Sequence, residues 1–151
     1  MKDTEHKLDV LAVVAQRFNR ENITWAVGAS LLLYLKGKTE VFHDIDIMLM
    51  EADAENAKAI LSELGVVEVP EPRARYRTRH FWECVVDGVD IDIMAGLVIV
   101  SDGKEYDCPL RQEEIEETVS VNGQAIPLHS LSAWKHYYRL MGREDKVKMK
   151  D

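Results

Sequence analysis

Alternating acidic and aliphatic residues at positions 43–50 restrict the folding of this chain more than any other feature. Successive residues of a strand point to opposite sides of a sheet, so Asp44 and Asp46 would share one face. The aliphatic residues of the segment, Ile45, Ile47 and Leu49, would line the other face. Neighbouring carboxylates repel each other, and a divalent cation between them relieves that repulsion. The segment therefore predicts a strand with one buried face and one face that carries two carboxylates.

A second segment, residues 89–94, repeats this pattern with Asp90 and Asp92. Two such strands side by side would form a carboxylate cluster of the kind that holds Mg2+ for phosphoryl or nucleotidyl transfer. The alternative is that the acids only mark solvated strand faces, which is the usual meaning of a single alternating strand. Because the pattern occurs twice, we expect a metal site.

Arginines precede this second acidic strand. Asp87-Gly88 is a hairpin turn signal, and a two-residue turn would place Glu83 opposite Asp92. In a regular strand the same parity puts arginines 73, 75, 77 and 79 on the face of the acids. Guanidinium groups beside a metal site suit a nucleoside triphosphate, because they neutralise its remaining charge. A solvated strand face is the alternative for these arginines, and one β-bulge would reverse the parity.

A glycine turn, Gly28-Ala29-Ser30, separates a predicted strand at 23–27 from a short predicted helix at 31–35. Backbone amides at the start of a helix can face an anion, and the Ser30 hydroxyl could add a hydrogen bond to a phosphate. The alternative is that Ser30 only caps the helix. The turn lies shortly before Asp44, so we interpret it as part of the same site.

The periodicity of the whole chain predicts an α+β fold in a single domain, residues 1–151. Helices are predicted from Asp3 or Thr4 to about 18, then at 31–35, 52–64 and 111–117, and from Ser130 or Ser132 to 141. Strands are predicted at 23–27, 43–50, 66–69, 75–86, 89–94, 96–100, 119–121 and 124–126. Turn signals at Asp87-Gly88 and Asn122-Gly123 predict hairpins. We therefore expect a mixed, partly antiparallel sheet flanked by helices.

Composition narrows the choice of partners and compartment. The net charge of −8 argues against a large nucleic-acid footprint, whereas a small anionic substrate needs only a local basic patch. No apolar run approaches the roughly 20 residues that a membrane helix requires, so no membrane partner is expected. The polar N-terminus lacks a signal-peptide core, and Cys84 and Cys108 form no zinc signature. We expect a cytoplasmic protein.

These residues together resemble the nucleotidyltransferase superfamily, and within it the small lincosamide-resistance and abortive-infection toxin-like branches. The similar elements are the Gly28-Ala29-Ser30 turn, the Asp44-Ile45-Asp46 strand, and the later acid at Asp90 or Asp92. A C-terminal helix with Lys135, followed by residues 142–146, is similar more loosely. Ala29 stands where those branches have a second glycine.

The resemblance implies Mg2+-dependent transfer of a nucleoside monophosphate from a nucleoside triphosphate to a hydroxyl of a small molecule or a protein. Asp44 and Asp46 would bridge two Mg2+ ions, for which Mn2+ could substitute. Asp92 would complete the metal shell and act as general base, and Asp90 would take that place if the strand is shifted by two residues. The residues that would contact the phosphates are Gly28, Ser30, Lys135, Arg77 and Arg79.

A catalytically silent relative is the competing hypothesis. Such a chain would be a nucleotide-binding or partner-binding module, for example one component of a toxin–antitoxin pair. A homodimer is the outcome if the aromatic residues of the last helix, Trp134, Tyr137 and Tyr138, are exposed. We expect these rings to pack on the sheet instead.

Overall fold

The computed structural model describes residues 2–71 and 78–142. Its α-helices are α1 (Lys2–Arg20), α2 (Ala29–Leu35), α3 (Ala54–Leu64) and α4 (Leu131–Leu140). The helix predicted at 111–117 is wrong. That stretch is a single 3-10 turn, Gln112–Glu114, which leads directly into a strand. Arg73, Arg75, Arg77 and residues 143–146 lie outside the described residues.

Nine strands form two sheets within the described residues. They are β1 (Trp25–Gly28), β2 (Ile45–Leu49), β3 (Val66–Glu68), β4 (His80–Val86), β5 (Val89–Ala95), β6 (Val98–Ser101), β7 (Lys104–Asp107), β8 (Ile115–Val121) and β9 (Gln124–His129). The large sheet has the order β3-β4-β5-β2-β1-β9-β8, and β6 and β7 form a separate pair. Strand β2 runs parallel to β5, β1 runs parallel to β9, and the other neighbours are antiparallel. The predicted mixed α+β fold is confirmed.

Turn chemistry fixes the hairpins. Asp87 and Gly88 have φ angles of 49° and 78°, the left-handed pair that a tight hairpin needs, and the predicted pairing of Glu83 with Asp92 is confirmed. Asn122-Gly123 joins β8 to β9 in the same way. The β6–β7 hairpin was not predicted, although Asp102-Gly103 carries the same signal.

One face of the large sheet is buried by aliphatic side chains. Residues between and beside the acids have no exposed surface, namely Ile45, Ile47, Ile91 and Ile93. Helix α1 contacts β9 and α3, and α3 contacts β3 and β4. The core therefore fixes the orientation of β2 and β5, because a slip of one residue would turn their aspartates inward.

Helix α4 contributes aromatic residues to the core. Trp134, Tyr137 and Tyr138 are buried within the chain, as expected. Ser130 caps this helix by accepting a hydrogen bond from the Ala133 amide at 3.1 Å. No helix in the described part of the chain is both long and apolar enough to span a membrane.

Candidate active site

Four carboxylates form a row across four adjacent strands. Asp46 on β2 pairs with Asp92 on β5, Asp92 pairs with Glu83 on β4, and Glu83 pairs with Glu68 on β3. Directly paired residues lie on the same face of a sheet, with neighbouring strands about 4.8 Å apart. On the other side of Asp46, its partner on β1 is Gly28. The pairing thus brings together two predicted site acids and the glycine turn.

A cleft of about 420 Å3 opens beside this row. Its carboxylates are those of Asp44, Glu68, Glu83, Asp90 and Asp92. Asp44 immediately precedes β2 and is half-buried, whereas Asp90 is exposed. Three of the four acids predicted from the alternating strands, Asp44, Asp90 and Asp92, therefore border one concave surface, together with two glutamates from β3 and β4. Asp46 is not among the lining residues and adjoins this surface through its pairing with Asp92.

Asp46 experiences the electrostatic cost of this arrangement. Burial, then the charge of Asp92, then the charge of Asp44 raise the pKa of Asp46 well above its ordinary value. Asp92 and Asp44 are therefore each close enough to Asp46 for their charges to repel its carboxylate. A divalent cation would remove the repulsion, and an all-oxygen donor set suits Mg2+.

The metal shell itself stays a prediction. Among residues 2–71 and 78–142, no three His, Cys, Asp or Glu side chains already stand in the geometry of a metal site. The predicted ligands are Asp44, Asp46, Asp92 and Asp90. The pairing of strands places Asp46 and Asp92 side by side.

The glycine turn is shaped by close packing. A β-carbon on Gly28 would lie 2.3 Å from Cζ2 and 2.6 Å from Nε1 of Trp134, so no larger residue fits there. Ala29 has a φ of 52°, the left-handed region, which costs an L-residue about 1–2 kcal/mol. The second glycine of the related branches would adopt this conformation freely. Ser30 is half-buried as the second residue of α2, and the capping position belongs to Gly28 rather than to Ser30.

The predicted basic residues lie in three different situations. Lys135 follows Trp134 on α4 and is half-buried. Arg79 forms ion pairs with Glu51 at 3.3 Å and Asp107 at 3.7 Å. Its amide donates to the Gly96 carbonyl, at the end of β5 opposite to Asp90. A phosphate-binding role for Arg79 stays a prediction, and Arg77 lies outside the described residues.

His129 is a neighbour of the turn that the sequence did not reveal. Val27 pairs with Leu128, so His129 lies beside Gly28 on the adjacent strand β9. The ring is buried, its Nε2 lies 3.4 Å from Glu114 Oε1, and burial lowers the pKa of His129 despite that carboxylate. Only the parallel pairing of β1 with β9 could reveal this neighbour, and no turn signal specifies such a pairing.

Glu68 and Glu83 were also missing from the predicted site. The hairpin register already placed Glu83 opposite Asp92, and that signal was available. Glu68 joins the row only through the β3–β4 pairing, for which the sequence contains no short connection.

Comparison with known proteins identifies relatives of this arrangement. The family model for aminoglycoside-2″-adenylyltransferase matches residues 10–151. Among solved structures, a Thermotoga maritima protein described as a candidate nucleotidyltransferase is 30% identical, with a TM-score of 0.76. That alignment covers 93% of this chain and 88% of the other. No curated protein matches the sequence significantly.

Two more distant structures share the fold. ANT(2″)-Ia in complex with adenylyl-2″-tobramycin is 15% identical, with a TM-score of 0.65 over 96% of this chain and 82% of that one. The lincosamide antibiotic adenylyltransferase LnuA, bound to lincomycin, is 17% identical, with a TM-score of 0.60 over 91% of this chain and 92% of that one.

Proposed function

Because this chain belongs to the aminoglycoside-2″-adenylyltransferase family, we propose that it transfers a nucleoside monophosphate from a nucleoside triphosphate to a hydroxyl of a small molecule. The observation that carries this proposal is the paired Asp46 and Asp92, with Asp44 near enough to raise the pKa of Asp46 further. Such a cluster of carboxylates is electrostatically unfavourable without metal, and cations bound between the carboxylates would relieve the repulsion.

Asp44, Asp46 and Asp92 would hold Mg2+, with two ions as the expected number and Mn2+ as a substitute. Bound Mg2+ supplies neutralisation of the triphosphate and polarisation of its α-phosphorus. Asp92 takes the proton from the acceptor hydroxyl as the new oxygen–phosphorus bond forms. The bond from the α-phosphorus to the bridging oxygen breaks, and pyrophosphate leaves with that oxygen. Asp90 takes the place of Asp92 in the alternative assignment.

The phosphates would lie at the end of the sheet where β1 stops. Gly28 and Ser30 belong to the turn there, and Lys135 extends from the helix whose Trp134 covers Gly28. These groups would hold the β- and γ-phosphates, with Arg77 and Arg79 as further predicted contacts. Pyrophosphate would therefore leave from the Gly28 side of the acid row.

The size and the negative charge of the cleft favour a small, cationic acceptor. Beyond the predicted metal ligands it is lined by Glu68 and Glu83, whose charge favours an amine-bearing molecule. Relatives of the same fold are bound to adenylyl-2″-tobramycin or to lincomycin. We therefore propose ATP as the donor and an amine-bearing antibiotic-like molecule as the acceptor, and a protein acceptor is the less favoured alternative.

Label transfer from α-labelled ATP in the presence of Mg2+ tests the proposal, with tobramycin and lincomycin as first acceptors. Asp44→Asn, Asp46→Asn and Asp92→Asn should each lower the rate by about 100-fold or more, because each loses a charge that the metals need. Asp102→Asn is the matched control, since this exposed turn residue already has a left-handed φ that asparagine tolerates. Activity that survives in all three site variants would overturn the proposal.

The silent-module hypothesis makes the opposite prediction. A chain that binds ATP with Mg2+ but labels no acceptor, including itself, would be a nucleotide-binding or partner-binding module. Label transfer in the unaltered chain excludes that hypothesis directly.

A further inference from the structure

Trp134 is the side chain that covers the proposed phosphate turn. The edge of its indole, formed by Cζ2, Cε2 and Nε1, faces Gly28 so closely that a β-carbon there would lie 2.3–2.6 Å from these three atoms. The indole is 2% exposed and lies in an aromatic cluster. Its ring neighbours are His129, Tyr137 and Tyr138, at centroid distances of 6.4, 5.2 and 5.6 Å. Trp134 thus has a fixed place directly against the residue that begins the turn.

The turn needs such support because Ala29 is strained. Its φ of 52° is one that alanine leaves when nothing holds it, and strained residues persist only where their surroundings fix them. On the far side, α2 is anchored by its buried leucines, Leu31, Leu32 and Leu33. On the near side, Gly28 pairs with Asp46 across β1 and β2 and lies against the indole of Trp134. The strained residue therefore lies between two anchored segments, and Trp134 is the side chain that packs against the second.

The indole nitrogen shows that shape, rather than hydrogen bonding, determines this placement. Among the described residues, Trp134 Nε1 is buried and has no hydrogen-bond partner. A buried donor without a partner is unfavourable, so the ring is held in this position by its packing.

We propose that Trp134 is a positioning residue for phosphate binding, acting through the backbone of Gly28 and Ala29. The inference rests on the proposed function, since it assigns the phosphates to this turn. Trp134 holds the left-handed Ala29 in place, and the amides of the turn thereby keep the directions that a triphosphate requires. Without the indole, Ala29 relaxes and the amides turn away.

Trp134→Phe tests this role, because phenylalanine keeps a ring in the cluster but loses the edge that faces Gly28. The matched control is Trp82→Phe, at an equally buried tryptophan on β4. Calorimetric titration with ATP and Mg2+, and separately with pyrophosphate and Mg2+, should show about tenfold weaker binding of both for Trp134→Phe. Trp82→Phe should bind within about twofold of the unaltered chain.

Rescue by glycine distinguishes positioning from simple destabilisation. In an Ala29→Gly background the left-handed conformation costs nothing extra, so adding Trp134→Phe should weaken binding by no more than about threefold. A readout that needs no ligand is the amide NMR shifts of residues 28–30, which should move in Trp134→Phe and stay in place in Trp82→Phe.

The outcomes separate this inference from the proposed function. Tight binding of both ligands by a folded Trp134→Phe variant would overturn the inference and leave the function intact. An undiminished tenfold loss in the Ala29→Gly background would also overturn it. If the unaltered chain binds neither ATP nor pyrophosphate, the proposed function is wrong and the inference is lost with it.

Discussion

At the scale of single residues, Asp46 combines an unfavourable electrostatic environment with a central proposed role. Its pKa is raised by burial and by two neighbouring carboxylates, so ionisation of this side chain disfavours the folded chain. Proteins commonly retain such destabilising residues because activity requires them. Removal of the Asp46 charge should therefore raise the stability of the chain and lower its activity.

Asp46→Asn should raise stability in the absence of divalent metal. A raised folded-state pKa means that stability is gained when the carboxyl is protonated and is lost as pH rises through that pKa. At pH 7 in EDTA, urea unfolding should show an increase of about 0.5–2 kcal/mol, the range common for stabilising substitutions. Exposed Asp90, changed to Asn, should alter stability by less than about 0.5 kcal/mol.

The addition of Mg2+ should reduce this difference in stability between Asp46→Asn and the unaltered chain. The cation should stabilise the unaltered chain, because it binds the folded state, and should stabilise Asp46→Asn less. An Asn variant that is no more stable than the unaltered chain in EDTA would show that Asp46 carries no electrostatic strain.

Residue patterns predicted the faces of the strands but not all of their neighbours. Alternation alone placed Asp44 and Asp46 opposite the buried isoleucines, and the structure confirms that arrangement. The left-handed φ of Ala29 could not be predicted, because alanine gives no signal for it. Only the packing of Trp134 and α2 around the turn requires it.

At the scale of elements, α4 and β9 connect the proposed phosphate turn to a buried histidine. His129 contacts Trp134 and Tyr137 by ring packing and approaches Glu114 through Nε2. Burial raises the pKa of Tyr137, and the carboxylate of Glu114 adds to that effect. Burial therefore disfavours the charged forms of both His129 and Tyr137 in this part of the core.

Because of His129, the free energy of unfolding of the chain should decrease at acidic pH. Its folded-state pKa is lowered, so the unfolded chain binds a proton below about pH 6.5 that the folded chain rejects. Stability should fall with decreasing pH by up to about 1.4 kcal/mol per unit from this group. His129→Gln should have a flatter profile between pH 7 and 5, whereas exposed His136→Gln should keep the slope of the unaltered chain.

Comparing the pH slopes of these variants, rather than their absolute stabilities, isolates the contribution of His129 protonation. Equal slopes for His129→Gln and the unaltered chain would show that the buried ring titrates normally.

Elements joined by short turns were predictable from turn signals, whereas no turn signal specified the pairings between distant strands. Asp87-Gly88 and Asn122-Gly123 fixed two hairpins and, with them, the register of Glu83 opposite Asp92. The β2–β5, β1–β9 and β3–β4 pairings join strands without a tight turn, so burial of the whole sheet determines them. The expected adjacency of the two acidic strands is confirmed, although only the repeated pattern suggested it.

At the scale of the molecule, the expected membership of the nucleotidyltransferase superfamily is confirmed by the family match over residues 10–151. The single domain over residues 1–151 stays a prediction. The net charge of −8 is concentrated in part along the row of Glu68, Glu83, Asp92 and Asp46. One continuous sheet thus brings together, from four separate strands, the charge that the proposed reaction needs.

The most direct test is anomalous diffraction from crystals grown with Mn2+ and a non-hydrolysable ATP analogue. Manganese is expected about 2.0–2.2 Å from carboxylate oxygens of Asp44, Asp46 and Asp92, with the triphosphate over the Gly28 turn. Manganese bound only by Glu68 and Glu83, or a triphosphate bound away from Asp46, would contradict it.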